Sequence, residues 1–437
     1  MRRILMISPH FPPDTSAGTH RVRLLAPHLM SFGWLPTVVT VRPQDYEGRL
    51  DPALEELVPR TVRVVRAPAW NVSRTRLVGV GSLGLRALHG ISRTCEELLR
   101  TERYDAVFIT IHPGYTALLG PRLKRRHGLR FVLDYQDPWV GSWGASVGGG
   151  PHGKPDFKSR ASRWVALRLE PRVVRAVDAI TAVSSGTYEE ILARNPGVRG
   201  VPTLSLPLGG EATDFEKLRG KPLANTVFDP KDGLFHLCYV GTLLPLGFET
   251  LRTVLKAAAR LRRARPELYA RLRVHFIGTS NQTDPRSVRR VVPVADEIGV
   301  GDCVSEIAPR IDYLDALAVL TQANAILLMG SSEHHYTASK LYPALLARRP
   351  LLALFHRSST VVDILQRGTR KPTVRLIAYD DERRAESMEN DAFRALRDLL
   401  EGPAYNDRDV DMQLLTEYSA ETLAGRLASF LDQVVAQ

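Results

Sequence analysis

Apolar runs rich in β-branched residues recur along the chain and alternate with longer segments of helical period. In the first half, segments 18–32 and 114–127 have the spacing of amphipathic helices and separate short apolar runs that predict strands. Alternation of this kind is typical of parallel strands joined by crossover helices. The predicted strands of this first series are 3–8, 37–41, 62–65, 106–111, 130–133, 179–182 and 201–206.

The same alternation starts again after a connection, 207–233, that is rich in glycine, proline and charged residues. Helix-period segments at 249–264 and 313–321 lie between the strands of this second series, and 413–435 predicts one or two amphipathic helices. The predicted strands of the second series are 235–240, 273–277, 303–306, 325–329, 351–354 and 374–377.

The break between the two series divides the chain into two predicted domains. We expect two doubly wound α/β domains, residues 1–207 and residues 208–437, that face each other across a cleft. The last helix is expected to pack back on the N-terminal domain. Because ligands of open parallel sheets bind beyond the carboxyl ends of the strands, the loops that follow the strands are the places to search for chemistry.

Composition and the length of the apolar runs narrow the class of protein. With 44% hydrophobic and 24% charged residues, the chain is expected to be globular rather than disordered, collagen-like or a coiled coil. Its apolar runs fall short of the roughly 18 to 20 residues of a membrane span, and the basic opening 1–8 runs into prolines, which favours a buried strand over a signal peptide. Three scattered cysteines predict neither a disulfide framework nor a zinc site and favour a reducing cytoplasm.

The net charge of +12 is concentrated in the first half of the chain. Residues 1–205 hold 29 basic and 17 acidic side chains, so the rest of the chain is neutral. This asymmetry favours an anionic partner for the first half, such as a membrane surface or a phosphorylated acceptor, and an arginine-rich solvated surface is the alternative. Nucleic acid is not expected as a partner, because the basic residues lack interleaved aromatic residues.

One predicted helix of the first half carries much of this charge. Its arginines recur with spacings of three to five residues, which places most of them along one helix face beside Trp164. A membrane-surface patch and a solvated helix face are both compatible with this pattern. The arginines are Arg160, Arg163, Arg168, Arg172 and Arg175.

Three loops of the first half carry candidate ligand-binding residues. The loop PHFPPDTSAGT, which contains His10, ends in Ala17 and Gly18, whose backbone N–H groups are placed to approach an anion, although a simple strand-to-helix turn is the alternative. His112 follows the fourth strand, where a histidine can bind a ligand hydroxyl or phosphate or serve a structural purpose. The segment DYQDPW combines Asp137 with Trp139, as sugar-binding clefts do, or forms a helix cap beside a buried tryptophan.

Two loops of the second half are candidates for binding a diphosphate. Gly241 and Thr242 follow the first strand of the second series. The polar segment 331–340 precedes a helix that contains Pro343, and proline is tolerated only in the first turn of a helix, so we expect the helix to begin within about three residues before Pro343. A helix N-terminus suits a diphosphate, and the polar side chains around this one are Glu333, Thr337, Ser339 and Lys340. A metal site at Glu333, His334 and His335 is not expected, because the HExxH spacing is missing.

These segments together resemble a known family. The opening PHFPPDTSAGTHRVRLLAPHLMSFGW is similar to the first loop and helix of GT-B glycosyltransferases of family 4. The resemblance continues in the expected order through DYQDPW, AVSSGTYEEI, YVGTL and SKLYPALLARRPLLAL, and it covers nearly the whole chain. It implies a GT-B fold of two Rossmann-like domains and retaining transfer of a sugar from a nucleotide sugar, with no obligatory metal or other cofactor. The N-terminal domain would hold the acceptor and the C-terminal domain the nucleotide.

The resemblance also implies roles for residues. The donor diphosphate would lie at the start of the helix, at the segment that matches residues 337–341 and ends at Leu341. Ala17 and Gly18 would approach the diphosphate from the other domain. His112 matches a histidine that contacts the donor sugar.

The chain departs from the family at two pairs of residues. The family's paired glutamates map to His335 and Pro343, and its basic pair maps to Thr242 and Leu246. Lys340 would then supply positive charge in place of the missing basic pair. Glu333 would replace one of the missing glutamates, displaced along the chain.

Three functions remain open from the sequence. The first is a cytoplasmic retaining glycosyltransferase, with peripheral contact to the inner membrane face, in which His112 positions the sugar and Lys340 stabilises the leaving diphosphate. Its acceptor would be a polysaccharide or lipid-linked glycan or a small natural product. The second is a GT-B-shaped binding or scaffold protein without catalysis, and the third is a nucleotide-sugar epimerase or phosphorylase of the same fold.

Overall fold

The computed structural model describes residues 1–112, 114–140, 157–219, 225–243, 247–280, 286–330, 339–402 and 405–437. These described residues form thirteen β-strands. In chain order the strands are β1 (Arg2–Ile7), β2 (Trp34–Val41), β3 (Arg63–Ala67), β4 (Ala106–Ile111), β5 (Arg130–Tyr135), β6 (Ala179–Ala182), β7 (Thr203–Ser205), β8 (Phe235–Val240), β9 (Leu272–Ile277), β10 (Val304–Ile307), β11 (Ala325–Met329), β12 (Leu351–His356) and β13 (Val374–Tyr379).

The α-helices alternate with these strands. In chain order they are α1 (Thr19–Leu29), α2 (Ala53–Glu56), α3 (Val72–Arg76), α4 (Leu83–Thr101), α5 (Leu119–His127), α6 (Phe157–Val174), α7 (Ser185–Arg194), α8 (Ala212–Arg219), α9 (Phe248–Ala264), α10 (Pro266–Arg271), α11 (Val292–Ile298), α12 (Tyr313–Gln322), α13 (Leu341–Leu346), α14 (Thr360–Gly368), α15 (Glu389–Glu401), α16 (Met412–Glu417) and α17 (Ala420–Ala436).

The strands form two sheets in which neighbouring strands pair in parallel. The first sheet has the order β3-β2-β1-β4-β5-β6-β7, and the second has the order β10-β9-β8-β11-β12-β13. In each sheet the chain starts in the interior, winds to one edge and then continues to the other. The predicted doubly wound α/β class is therefore confirmed. The direction of winding reverses between β1 and β4 and between β8 and β11, and such switch points are where open α/β sheets bind ligands.

The chain divides into two compact units. Unit 1 comprises Met1–Leu208 and Ala420–Gln437, and unit 2 comprises Gly209–Ser419. Within unit 1, α17 packs against α1, and the buried residues Leu427 and Leu431 share one core with Val22. The indole Nε1 of Trp34 also donates a hydrogen bond to Asp432 at 3.0 Å. The C-terminal helix thus completes the core on one face of the first sheet.

Burial on both faces explains why the central strands consist almost entirely of apolar residues. Every residue of β4 and of β11 is buried, because helices cover both faces of a parallel sheet. In the described part of the chain, no helix has both the length and the apolar character that crossing a bilayer requires.

A chain of buried polar groups crosses the first strands of the second sheet. His236 Nδ1 lies 2.9 Å from His275 Nε2, and His275 Nδ1 lies 2.7 Å from the Ser305 hydroxyl. His236 Nε2 lies 3.0 Å from an Asp232 carboxylate oxygen, and Phe228 stacks on the ring of His236 at 4.2 Å. Burial and the neighbouring His236 lower the pKa of His275 to about 4. His275 is therefore neutral at pH 7.

This shift predicts a loss of stability in mild acid. The folded-state pKa of His275, about 4, lies below its ordinary value of 6.5, so the unfolded chain takes up the proton first as the pH falls. The contribution to the free energy of unfolding is fully present above pH 6.5 and is lost between pH 6.5 and 4, at no more than about 1.4 kcal/mol per pH unit. Chemical denaturation at pH 7.5, 6 and 5 measures it.

The variant His275→Gln should be less stable than the wild type at pH 7.5 but should lose less stability on acidification. The matched control is His89→Gln, which changes an exposed histidine on α4. Equal pH slopes for the wild type and His275→Gln would contradict this assignment.

Candidate functional site

The loop after β1 is held in shape by a buried carboxylate. An oxygen of Asp14 lies 2.6 Å from Nδ1 of His10 and accepts hydrogen bonds from the hydroxyls of Ser16, at 2.5 Å, and Thr19, at 3.1 Å. Burial by itself raises the pKa of Asp14, but these hydrogen bonds outweigh it and hold the pKa below its usual value. Asp14 is therefore ionised at neutral pH and fixes both His10 and the start of α1.

Gly18, the last residue of this loop, lies against the histidine that follows β4. A Cβ at Gly18 would lie 2.9 Å from Cδ2 of His112, which is closer than real Cβ contacts, so the approach requires glycine. The ring of His10 lies 5.7 Å from the ring of His112, centroid to centroid. Ala17 is exposed beside them. The structure thus brings together four of the residues that the sequence singled out, at the switch point between β1 and β4.

His112 is oriented by a carboxylate. Its Nδ1 lies 2.7 Å from an oxygen of Asp137, and this hydrogen bond lowers the pKa of Asp137. A carboxylate only accepts, so Nδ1 carries the proton and Nε2 becomes the ring atom that can accept a hydrogen bond from a ligand hydroxyl. Asp137 is 69% exposed and His112 is half-buried, so both are open to solvent at this edge of the sheet.

Trp139 occupies a different environment from Asp137. It is buried, its ring lies 6.0 Å from that of Tyr115 with an edge-to-face orientation, and a Cβ at Gly114 would lie 2.5 Å from its indole. Trp139 therefore belongs to the core beneath the loop that follows β4, and supports that loop from below.

A buried ion pair, not foreseen from the sequence, lies under these loops. Asp134 accepts two hydrogen bonds from Arg21, at 2.9 and 2.5 Å, and further ones from the hydroxyls of Thr110 and Thr181, at 2.7 and 2.6 Å. Both charged side chains have almost no exposed surface. In the sequence, Arg21 lies on the apolar face of a predicted helix, which indicates a buried arginine. This position alone does not identify the partner of the arginine.

In unit 2, the loop after β8 is shaped by a glycine and a lysine. Gly241 has a φ of +136°, and a Cβ there would lie 2.2 Å from Cε of Lys340. Glycine is therefore required both for the backbone conformation and for the space that Lys340 occupies. The pair lies at the carboxyl end of β8, next to the switch point between β8 and β11.

Among the described residues, the Lys340 amine contacts neutral groups and is affected by another cation. Its Nζ donates to the Tyr239 hydroxyl at 2.8 Å and to the Thr242 carbonyl at 3.0 Å, and lies 4.5 Å from the centroid of the Tyr239 ring. Burial, and then the positive charge of Arg310, lower the pKa of Lys340 to about 7. The amine is thus close to half-protonated at neutral pH, and a bound anion would favour its charged form.

The neighbouring candidates occupy distinct positions around Lys340. Ser339 is exposed, whereas Leu341 is buried, so Leu341 can contact a ligand only through its backbone N–H. Helix α13 begins at Leu341, two residues before Pro343, within the distance predicted from the proline. Glu333, Thr337 and Leu246 lie outside the described residues, and their assignments stay predictions. Among the described residues, no group of three or more metal-binding side chains is close enough together to hold an ion.

Sequence comparison identifies a domain in the first half of the chain. Residues 17–209 match the model of the glycosyl transferase 4-like domain. No curated protein is significantly similar in sequence.

Solved structures match over nearly the full length of the chain. The UDP-forming α,α-trehalose-phosphate synthase of Burkholderia xenovorans superposes with a TM-score of 0.62 and 11% identity, covering 99% of both chains. HepE of Anabaena, in complex with UDP and glucose, gives 0.60 and 13%, covering 99% of this chain and 100% of its own. WaaG, a glycosyltransferase of lipopolysaccharide biosynthesis, gives 0.55 and 13%, covering 99% and 98%. At these identities the structures share the fold.

The solved structures show that the chain has the two-domain GT-B fold of these glycosyltransferases. Within that fold, residues 17–209 are similar to the glycosyl transferase 4-like domain. The resemblance to family 4 that the motifs indicated is thereby confirmed.

The environment of Lys340 predicts one lysine that titrates near neutrality. The chain has nine lysines, so the resonances of ¹³C-dimethylated lysines can be resolved and followed with pH by NMR. We expect one lysine resonance, distinct from that of the α-amino group, to titrate near pH 7 and to be missing in Lys340→Arg, because burial and the charge of Arg310 lower the pKa of Lys340.

The exposed Lys371, changed to Arg, is the control and should leave the resonance that titrates near pH 7 in place. A wild-type spectrum in which every lysine titrates above pH 9 would rule out this environment for Lys340.

Proposed function

We propose that the protein is a retaining glycosyltransferase that moves a sugar from a nucleoside diphosphate sugar to an acceptor hydroxyl. The observation that carries the proposal is the Lys340 ammonium lying over Gly241 at the carboxyl end of β8. A positive group that bends over a glycine backbone offers an anion both charge and close approach. Residues 1–207 would form the acceptor side, and residues 208–437 would bind the donor.

In this reaction the bond between the anomeric carbon and the diphosphate oxygen breaks, and the acceptor oxygen bonds to the anomeric carbon with retention. The acceptor proton passes to the leaving diphosphate, so no separate base is required. Lys340 stabilises the negative charge that develops on the diphosphate. Thr337, Ser339, Glu333 and the backbone N–H of Leu341 are proposed as further donor contacts.

Unit 1 contributes the sugar and acceptor side. Nε2 of His112, held in orientation by Asp137, is proposed to accept a hydrogen bond from a sugar hydroxyl. His10 and Asp137 are the polar groups proposed for the acceptor, with Trp139 supporting their loop from the core. The backbone around Ala17 and Gly18 is proposed to approach the diphosphate.

The donor is proposed to be UDP-linked or closely similar, without an obligatory metal ion. This proposal draws on structures of HepE with UDP and with UDP-glucose, and on trehalose-phosphate synthases described as UDP-forming. A calorimetric screen of UDP, GDP, ADP, CMP and dTDP, with and without magnesium, tests it.

Loss of the Lys340 charge should slow the reaction. With the donor selected in that screen, Lys340→Ala should lower the rate of nucleoside diphosphate release at least tenfold, because a charge-assisted contact to the leaving group is lost. The control Lys371→Ala, at an exposed position of unit 2, should retain the wild-type rate. Circular dichroism verifies that both variants are folded, and wild-type turnover by Lys340→Ala would exclude the assignment.

The acceptor is proposed to be anchored to, or carried on, an anionic membrane surface, in polysaccharide or envelope assembly. Helix α6 exposes 56% of Trp164 and 45% of Leu167, and the guanidinium of Arg168 lies 4.2 Å from the Trp164 ring. Arg160 and Arg172 are exposed on the same helix. Such a basic and aromatic face suits contact with an anionic membrane surface. We propose that the protein acts at the inner leaflet of the membrane.

Vesicle sedimentation tests this surface. The full chain should bind vesicles with one third phosphatidylglycerol and detach at high salt, since surface attraction is screened. Arg168→Glu should weaken binding about tenfold, because it removes one positive charge and adds one negative charge near the surface. Trp164→Ala should weaken it severalfold, whereas Trp70→Ala, at a comparably exposed tryptophan outside α6, should not. Equal binding to neutral vesicles would argue against the proposal.

A further inference from the structure

The segment that precedes β8, residues 225–234, forms a strap across the first strands of the second sheet. Its turns are closed by its own side chains. Those of Asn225, Asp229 and Asp232 each accept hydrogen bonds from backbone N–H groups two or three residues further along the chain. The strap therefore keeps its local shape largely by itself, and its attachment to the sheet is a separate matter.

Two side chains attach the strap to a pair of buried histidines. The ring of Phe228 lies 4.2 Å from the ring of His236 and 5.1 Å from that of His275, nearly parallel to both. A carboxylate oxygen of Asp232 lies 3.0 Å from Nε2 of His236. Both contacts converge on the same pair of rings, so the charge state of the pair acts directly on the attachment.

The hydrogen bonds of the pair define where its protons lie when both rings are neutral. The Asp232 carboxylate only accepts, so Nε2 of His236 carries the proton, and Nδ1 of His236 accepts a hydrogen bond from Nε2 of His275. Nδ1 of His275 in turn accepts a hydrogen bond from the Ser305 hydroxyl. Every ring nitrogen of the neutral pair therefore has a partner.

The pair has room for one added proton but not for two. After one is added, the bond between the rings still has a donor on one side and an acceptor on the other. After two, Nδ1 of His236 and Nε2 of His275 both carry protons, and two positive rings face each other across the 2.9 Å between these nitrogens. Of the neighbouring charges, Asp232 favours protonation of His275 and Arg273 opposes it. The second proton is thus incompatible with the attached strap.

A cysteine in the core beneath the strap can report on its attachment. Phe228 and Cys238 belong to one small hydrophobic cluster, together with Ile277, Val319 and Ala323. Cys238 has no exposed surface, and burial raises the pKa of its thiol, so the thiol is unreactive while the strap is attached. Detachment of the strap withdraws Phe228 from this cluster and gives reagents access to the thiol.

We propose that the strap is an acid-sensitive switch: when His236 and His275 both carry an added proton, residues 225–234 detach from the sheet while the rest of unit 2 stays folded. Detachment exposes both rings to water, which hydrates the two charges. Local opening of a single segment needs less free energy than global unfolding, and histidine protonation is a common trigger for it. The inference does not rest on the proposed function, because the pair lies near the start of β8 and not at its carboxyl end.

Thiol labelling of the full chain tests the proposal. The reagent is dithiodipyridine, which reacts in mild acid, and mass spectrometry resolves the three cysteines at pH 7.5, 6 and 5, with rates normalised to a free thiol. Labelling of Cys238 should accelerate at least about tenfold between pH 7.5 and 5, because the pKa of His275 is about 4 with the strap attached and 6.5 in a solvated ring. The buried Cys95 and Cys303 should stay protected.

Substitutions separate the histidine pair from other titrating groups. His275→Gln should reduce the acceleration to about threefold or less, since a single remaining ring cannot take up the second proton. His236→Gln should do the same and provides the reading should His275→Gln unfold. The matched control His89→Gln, at an exposed position of α4, should keep the wild-type acceleration. Phe228→Ala should speed labelling of Cys238 already at pH 7.5, because one attachment of the strap is lost.

Three results would overturn the proposal. The first is a wild-type rate for Cys238 that does not change with pH. The second is labelling of Cys95 and Cys303 in parallel with Cys238, which would indicate global unfolding in place of local detachment. The third is a wild-type acceleration in both histidine variants, which would assign the effect to other groups. Circular dichroism at each pH verifies that the chain remains folded during labelling.

Discussion

The position of the first loop depends on the buried pair of Arg21 and Asp134. Two charges without exposed surface are costly unless their hydrogen-bonding atoms are satisfied, and here Thr110, Thr181 and the Leu206 carbonyl complete the network. These partners lie on β4, on β6 and just after β7, so the first turn of α1 has only one place relative to the sheet. Because Gly18 immediately precedes α1 and His112 immediately follows β4, the same network sets the approach of the glycine to the histidine.

In unit 2, the charged groups at the carboxyl edge of the sheet differ in how fully the protein supplies their hydrogen-bond partners. The hydrogen-bond acceptors of the Lys340 amine among the described residues are neutral, whereas the carboxylates of Asp134 and Glu306 are enclosed by donors. A charged group whose hydrogen-bond partners are all supplied by the protein stabilises the fold. A charged group with fewer partners in the protein can still gain favourable interactions when a ligand binds. By this criterion Lys340 is a candidate ligand-binding residue and Glu306 is part of the scaffold, although both lie near the carboxyl ends of strands.

The sequence predicted the strands well because central parallel strands are apolar on both faces. The bounds of β4, β8 and β11 agree to the residue with the apolar runs. The loops after strands also directed attention to His112, Asp137, Gly241 and Lys340, and the structure places them in two contacting pairs. The role of Arg21 was not foreseen, because it depends on strand order and on a partner far away in the chain; Arg21 and Asp134 are 113 residues apart. The sequence also left open whether Trp139 is buried or lines a cleft, since composition does not show which side of a loop faces the core.

Pro343 shows how the chain can depart from its relatives without losing the fold. Within the first turn of α13 its missing N–H removes no intrahelical hydrogen bond, so the helix start beside Lys340 is preserved while the family's carboxylate is not. The resemblance to family 4 implies that this carboxylate binds the ribose hydroxyls of the donor. On the proposed function, donor binding in this chain therefore depends more strongly on the diphosphate. Binding that relies on Lys340 is dominated by charge, and charge does not discriminate between nucleobases. Affinity should therefore fall with salt more steeply, and base selectivity should be weaker, than in a site that holds the ribose with a carboxylate.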